Sequence, residues 1–173
     1  MAAVDPVCFA RMESPLGPLS LASTPRGLSH VGLSASDSEE IAGDARAPRG
    51  SFLAEATGQL VEYFAGHRRE FDLPLDLQGT PFQRAVWQAL AQIPFGEKTF
   101  YGAIAATLGR PRAVRAVGGA AHRNPLLFII PCHRVIGKNG DLTGFAAGLE
   151  RKRWLLSHEE ALLSASSLGI TEA

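Results

Sequence analysis

A helix has to begin at Thr80-Pro81. A threonine side chain can cap free N–H groups, and proline, with its fixed φ and missing N–H, suits the first turn. Phe82, Val86, Leu90 and Ile93 then fall on one face. Gln78-Gly79 just before reads as a linker. The chain is therefore expected to divide into domains 1–79 and 80–161, with 162–173 a flexible tail. Its 173 residues are 46% hydrophobic, enough for one ample domain or two small ones, with a real core.

The first half reads as a small α/β domain. Residues 6–12, 18–23 and 28–33 have strand character. Ser-Pro-Leu-Gly joins the first pair and Thr24-Pro25-Arg26-Gly27 the second. Proline presets the first turn position and glycine relieves the exit, so the sheet is expected to be an antiparallel meander. Residues 34–50 are polar and broken by Pro and Gly, a surface loop. Phe52, Ala56, Leu60 and Phe64 form an apolar stripe at helical spacing, and 71–77 suggests a last short strand.

The second half reads as mainly helical, which makes the fold α+β (mixed) overall. Ile93-Pro94-Phe95-Gly96 ends the first helix. Short helices over 101–108 and 112–121 flank Gly109-Arg110-Pro111, a helix-turn-helix of the winged kind. The apolar run Pro125–Pro131 is expected to be buried and to deliver the chain to Cys132. Glu150–His158 reads as a final helix with Trp154 and Leu155 inward.

Composition excludes several classes. No apolar run approaches the ~18 residues of a membrane span. The N-terminus lacks a basic segment followed by an apolar one, so no secretory signal is expected. Two cysteines, Cys8 and Cys132, are too few for a disulfide framework. A reduced, cytoplasmic chain is expected, nucleoid-associated if bacterial, with a thiol free for chemistry.

Net charge is zero but uneven. Residues 1–79 hold 6 Lys/Arg and 11 Asp/Glu; residues 80–173 hold 11 and 6. Lys98, Arg110, Arg112, Arg115, Arg123, Arg134 and Lys138 lie in a stretch without an acid, which points to a polyanionic partner. The second short helix could not read base edges, because Ala113, Val114, Ala116, Val117, Gly118, Gly119 and Ala120 offer almost no donors or acceptors. Small residues such as Ala116 and Gly118 instead let a backbone approach phosphates, or simply pack close in a core. Arg115 is the one long side chain among them.

Pro131-Cys132-His133-Arg134 is the strongest local chemical signal. A thiol is a poor nucleophile until ionised, and a histidine held by a carboxylate can take its proton. Glu159 is a candidate for that carboxylate. Neighbouring side chains usually diverge, so a water relay between Cys132 and His133 is expected. Cys8, inside an alternating strand, reads as an inert buried thiol.

These residues resemble the O6-alkylguanine-DNA alkyltransferases, also called methylated-DNA–protein-cysteine methyltransferases. The resemblance is carried by PCHRV (131–135), RAVGGA (115–120) with NP (124–125), IPFGEKTFYGAIA (93–105) and TGFAAGLERKRWLLSHE (143–159). It covers residues 80–160, while the first 79 match in layout only. It implies a protein that binds double-stranded DNA, extrudes an O6-alkylated guanine and transfers the alkyl group irreversibly to Cys132, once per molecule. By the same resemblance, His133 activates Cys132 through water and Glu159 holds the imidazole. Asn124 supports the turn carrying the cysteine. Arg115 fills the gap left by the base, with Ala116, Gly118 and Arg134 on the DNA-binding side. Tyr101 crowds the 3′ phosphate and donates to the guanine ring. Val135, Phe145, Ala146 and Ala147 line the substrate pocket. No cofactor is implied, and a monomer is expected.

Some positions depart from the family pattern. Phe100 stands where Ser or Thr is frequent, Phe145 where Tyr is common, and Ala147 where Gly is frequent; these bear on substrate range. Some relatives hold zinc in the N-terminal domain. Here that domain offers only Cys8, His30 and His67, and His158-Glu159-Glu160 is no HExxH site, so no metal is expected. Two rivals remain: a non-catalytic alkyltransferase-like lesion binder, which would lack the reactive cysteine, and a Cys-His hydrolase of a polyanionic substrate, which would turn over repeatedly.

Overall fold

The computed structural model describes residues 7–33 and 51–168. The chain forms two compact units, Met1–Gln78 with Pro125–Ile129, and Gly79–Asn124 with Ile130–Ala173.

In the first unit β1 (Cys8–Met12), β2 (Leu19–Thr24) and β3 (Gly27–Leu33) form an antiparallel sheet in the order β1-β2-β3. Tight turns leave consecutive strands no room to pair otherwise. Helix α1 (Phe52–Phe64) is capped by the Ser51 side chain, which accepts from the Ala54 amide, and it packs on all three strands. Its buried face is Leu53, Ala56, Gln59, Leu60 and Tyr63, whereas Phe52 and Phe64 are half-buried. The reason is geometric. Four-residue steps drift about 40° each on a 3.6-residue helix, so the ends of the predicted stripe rotate out of the core.

The strand predicted over 71–77 is a single parallel bridge, Leu28 with Leu75. Pro74 has no N–H to extend it. Its carbonyl accepts from Leu28 N (2.8 Å), and Gln59 occupies the Asp72 backbone on both sides. Gly27 (φ +150°) permits the approach, since a Cβ there would lie 2.4 Å from the Pro74 oxygen.

The run Leu126–Pro131 is buried, as expected, but its first part belongs to the first unit. Val31 N donates to Pro125 O (2.8 Å) and Leu127 N to Val31 O (3.0 Å). Phe128, at φ 71°, turns the chain there against Phe64, with ring centroids 5.3 Å apart.

The second unit begins with α2 (Pro81–Ala91). Thr80 and Gln83 form a reciprocal capping box. Val86, Trp87 and Leu90 are buried, and the Trp87 indole donates to Ala120 O at 2.8 Å. Helices α3 (Tyr101–Thr107) and α4 (Val114–His122) pack on α2 and on each other. A feature with no sequence signal is the parallel pair β4 (Thr99–Phe100) and β5 (Val135–Ile136). The last helix, α5 (Leu149–Ser167), runs through residues assigned to a tail. Along that extension Leu163 packs on Gly96: a Cβ on that glycine would meet the leucine side chain. Leu155 and Leu156 point inward while Trp154 is half-buried and stacks on His158. No helix among the described residues is long and apolar enough to cross a membrane.

Candidate active site

Cys132 opens a single turn of 3₁₀ helix, Cys132–Arg134, that leads into β5. The turn holds three consecutive buried functional side chains, with Cys132 4% exposed. Asn124, just past the end of α4, reaches across it. Its Nδ2 donates to Ile130 O (2.8 Å) and to Cys132 Sγ (3.2 Å). The helix end and the cysteine are thereby tied by one amide.

On the other side, His133 Nε2 lies 2.8 Å from Glu159 Oε1, both side chains fully buried. An ionised carboxylate can only accept, so Nε2 carries the proton. Nδ1 is left as the acceptor nitrogen; it is buried and hydrogen-bonds to no described residue. The Phe145 and His133 rings meet in a T-shaped arrangement, with centroids 6.4 Å apart.

Arg134 is not at a DNA-facing surface. It is 5% exposed, and its Nε and Nη2 donate to the two oxygens of Glu159 at 2.9 and 3.0 Å. Its Nη1 donates to Ile93 O (2.6 Å), and Phe95 lies under the guanidinium. A guanidinium pairs a buried carboxylate bidentately, and that use claims it here. Glu159 Oε2 also accepts from the Gly96 amide (2.9 Å).

Two groups were missed in the sequence. One is that Gly96 amide. The other is Lys152, fully buried, whose Nζ donates to Val135 O and to Thr143 O (2.8 Å). The signal for Lys152 exists: 152, 155, 156 and 159 share one helix face, so a buried Leu155-Leu156 face carries a charge at each end. Tyr101, the first residue of α3, donates its hydroxyl to Thr143 O and Gly144 O, both at 3.1 Å. Thr143 O is therefore held from two sides. Phe145 and Ala147 are buried in this loop, while Ala146 is exposed.

Arg115 and Ala116 are exposed on the first turns of α4, and Gly118 is half-exposed beside the Tyr101 ring. Lys98, Arg110, Arg112, Arg123 and Lys138 are exposed as well. Among the described residues no cluster of His, Cys, Asp and Glu could hold a metal ion.

Burial sets the electrostatics. It pushes the Cys132 thiol up, against the Asn124 hydrogen bond and the Lys152 charge. It pushes His133 down, against the Glu159 hydrogen bond and charge. It takes Lys152 down to about 8, with a Cys132 thiolate acting in the opposite sense. Burial alone would raise Glu159, but the bonds and charges of His133 and Arg134 hold it well below the usual carboxylate range. The outcome is a neutral imidazole backed by a fixed anion, in the turn that holds a protonated thiol.

Residues 7–77 match the family model described as "6-O-methylguanine DNA methyltransferase, ribonuclease-like domain", and residues 81–161 match that enzyme's "DNA binding domain". A methylated-DNA–protein-cysteine methyltransferase of Methanosarcina acetivorans is 47% identical over 151 residues, covering 87% of this chain and 97% of that protein. The constitutive enzyme of that name from Bacillus subtilis is 48% identical over 155 residues, covering 87% and 94%. The solved O6-methylguanine methyltransferase of Mycobacterium tuberculosis aligns with TM-score 0.79 at 45% identity, covering 90% and 94%. A structure of the same organism's OGT in complex with DNA gives 0.79 and 45%, covering 89% and 93%. From its first strands to its last helix, this chain belongs to the 6-O-methylguanine DNA methyltransferase family.

Proposed function

We propose that this protein repairs double-stranded DNA by direct reversal, moving the O6-alkyl group of guanine, chiefly methyl, onto its own Cys132. The observation that carries the reading is a buried thiol in the same turn as a neutral histidine whose acceptor nitrogen is uncommitted. The thiol proton passes to His133 Nδ1 through a water, and the imidazolium is stabilised by Glu159. The sulfur attacks the alkyl carbon and the S–C bond forms. The C–O6 bond breaks with its electron pair on O6, and one proton restores guanine. No second nucleophile removes the thioether, so each molecule acts once and no cofactor takes part.

The alkyl carbon is inaccessible within the stack, so the nucleotide leaves the duplex. Arg115 takes its place, and Ala116 and Gly118 let the α4 backbone approach the phosphates. Tyr101 turns its hydroxyl from Thr143 O and Gly144 O to donate to the guanine ring. The Cys132 and Val135 carbonyls and the Ala146 amide read the base edge, and Phe145 and Ala147 bound the alkyl group. The protein acts as a monomer. The compartment that fits is the cytoplasm, at the nucleoid in a bacterium.

The test is mass spectrometry after incubation with duplex DNA containing O6-methylguanine. One methyl group on Cys132 per protein molecule, with guanine restored, is expected. Cys132→Ser should bind DNA without transfer, and Cys8→Ser should transfer normally. Repeated turnover, which would mark a hydrolase, or a methyl group on Cys8 would overturn the mechanism.

A further inference from the structure

We infer that Arg134 is a positioning residue that keeps His133 a neutral base, its guanidinium fork supplying the fixed positive charge that the buried Glu159 carboxylate would otherwise draw as a proton onto the imidazole. The inference rests on the proposed transfer reaction for its rate readout only.

The geometry is specific. Glu159 Oε1 accepts from His133 Nε2 and Arg134 Nη2, and Oε2 accepts from Arg134 Nε and Gly96 N. The fork of Arg134 thus reaches both oxygens. The fork is anchored apart from the carboxylate, by Ile93 O at 2.6 Å and by the Phe95 ring 5.6 Å from the guanidinium carbon. Arg134 therefore aims the carboxylate, not the reverse. The charges acting on His133 come from Glu159 and Lys152 of α5 and from Arg134 in its own turn. Two of the Lys152 donors go to Val135 O and Thr143 O, while Arg134 bonds Glu159 directly.

Take the fork away and His133 becomes the nearest source of positive charge. Its proton would sit on Nδ1, the one nitrogen able to receive the proton of Cys132. A lysine at 134 would keep the charge but lose the two-point grip.

The experiment follows the imidazole of His133 by ¹⁵N NMR in wild type, Arg134→Lys and Arg134→Gln, alongside the pH profile of methyl transfer in each. In wild type the ring is neutral at pH 7 with the proton on Nε2. In Arg134→Gln it is charged at pH 7, and the acid limb of the rate profile moves up by about one pH unit or more, tenfold in rate at a fixed acidic pH. Raising the pH restores most of the loss, and Arg134→Lys lies between. A merely structural Arg134 would lower the rate by the same factor at every pH. Parallel profiles, or a charged or Nδ1-protonated His133 in wild type at pH 7, overturn the inference. The wild-type measurement stands even where Arg134→Gln does not fold. A wild type that transfers nothing would refute the reaction instead, while the NMR still judges Arg134.

Discussion

The Asn124 amide donates to the Cys132 sulfur at 3.2 Å and to Ile130 O at 2.8 Å. It closes the stretch 125–129, which belongs to the other unit, and it places a hydrogen-bond donor on the sulfur before any reaction. Burial raises the thiol, and Asn124 is the first influence against it.

Asn124→Ala removes that donor and one of the two hydrogen bonds to Ile130 O, which keeps the Cys132 amide. The thiol should rise further, slowing transfer at neutral pH by roughly tenfold per unit of rise. Stability should fall by about 0.5–1.5 kcal/mol. Ultraviolet titration of the thiolate and urea unfolding measure the two effects separately. A thiol titrating as in wild type would show that Asn124 braces the turn alone.

Arg115→Ala should slow repair of duplex DNA and leave reaction with a free alkylguanine base nearly unchanged. Arg115 is exposed on α4 and none of its neighbours on that helix could replace an extruded base. Single-turnover rates on the two substrates decide the matter. Equal losses would mean that the side chain supports the fold.

Salt dependence should reflect the revised cation set. With Arg134 buried, Lys98, Arg110, Arg112, Arg115, Arg123 and Lys138 remain exposed in that stretch. They limit the slope of log affinity against log salt to about −5 from this set, at roughly −0.9 per phosphate contact. Arg112→Gln should flatten the slope by about 0.9 if it meets a phosphate. Affinity independent of salt would contradict a phosphate-led interface.

Acid should destabilise the protein through Glu159. Its native carboxyl is held below the ordinary value by His133 and Arg134, so its contribution is complete above about pH 4.3 and fades as the pH falls toward the depressed native value. Glu159→Gln should flatten stability against pH in that acid window. At neutral pH it should cost about 3–5 kcal/mol, because Arg134 stays buried with its partner's charge gone. Urea midpoints between about pH 3 and pH 7 test both statements.

What could be read in advance was local. The meander is written in two Pro/Gly turns, the start of α2 in Thr80-Pro81, and the thiol, histidine and carboxylate in two short motifs. What could not be read depends on distant pairings. Arg134 meets Glu159 across 25 positions and the Gly96 amide meets it across 63, and no periodicity encodes either. An arginine in a basic stretch reads as surface until its carboxylate is found. β4 and β5, two residues each, are too short to show a period. The allotment of Pro125–Ile129 to the first unit follows from its hydrogen bonds to Val31, while its composition only announces burial.

The burial of Cys132 also bears on how long an unreacted molecule stays fit for use. A protein that acts once is ended by any electrophile or oxidant that finds its sulfur first. Small reagents in solution attack exposed thiolates, and Cys132 is both covered and held protonated until a base draws its proton. Cys8, expected to be buried, is instead exposed on β1 and lacks that cover. The same enclosure that slows ionisation thus preserves the waiting sulfur against accidental chemistry, and reserves it for a carbon brought into the pocket.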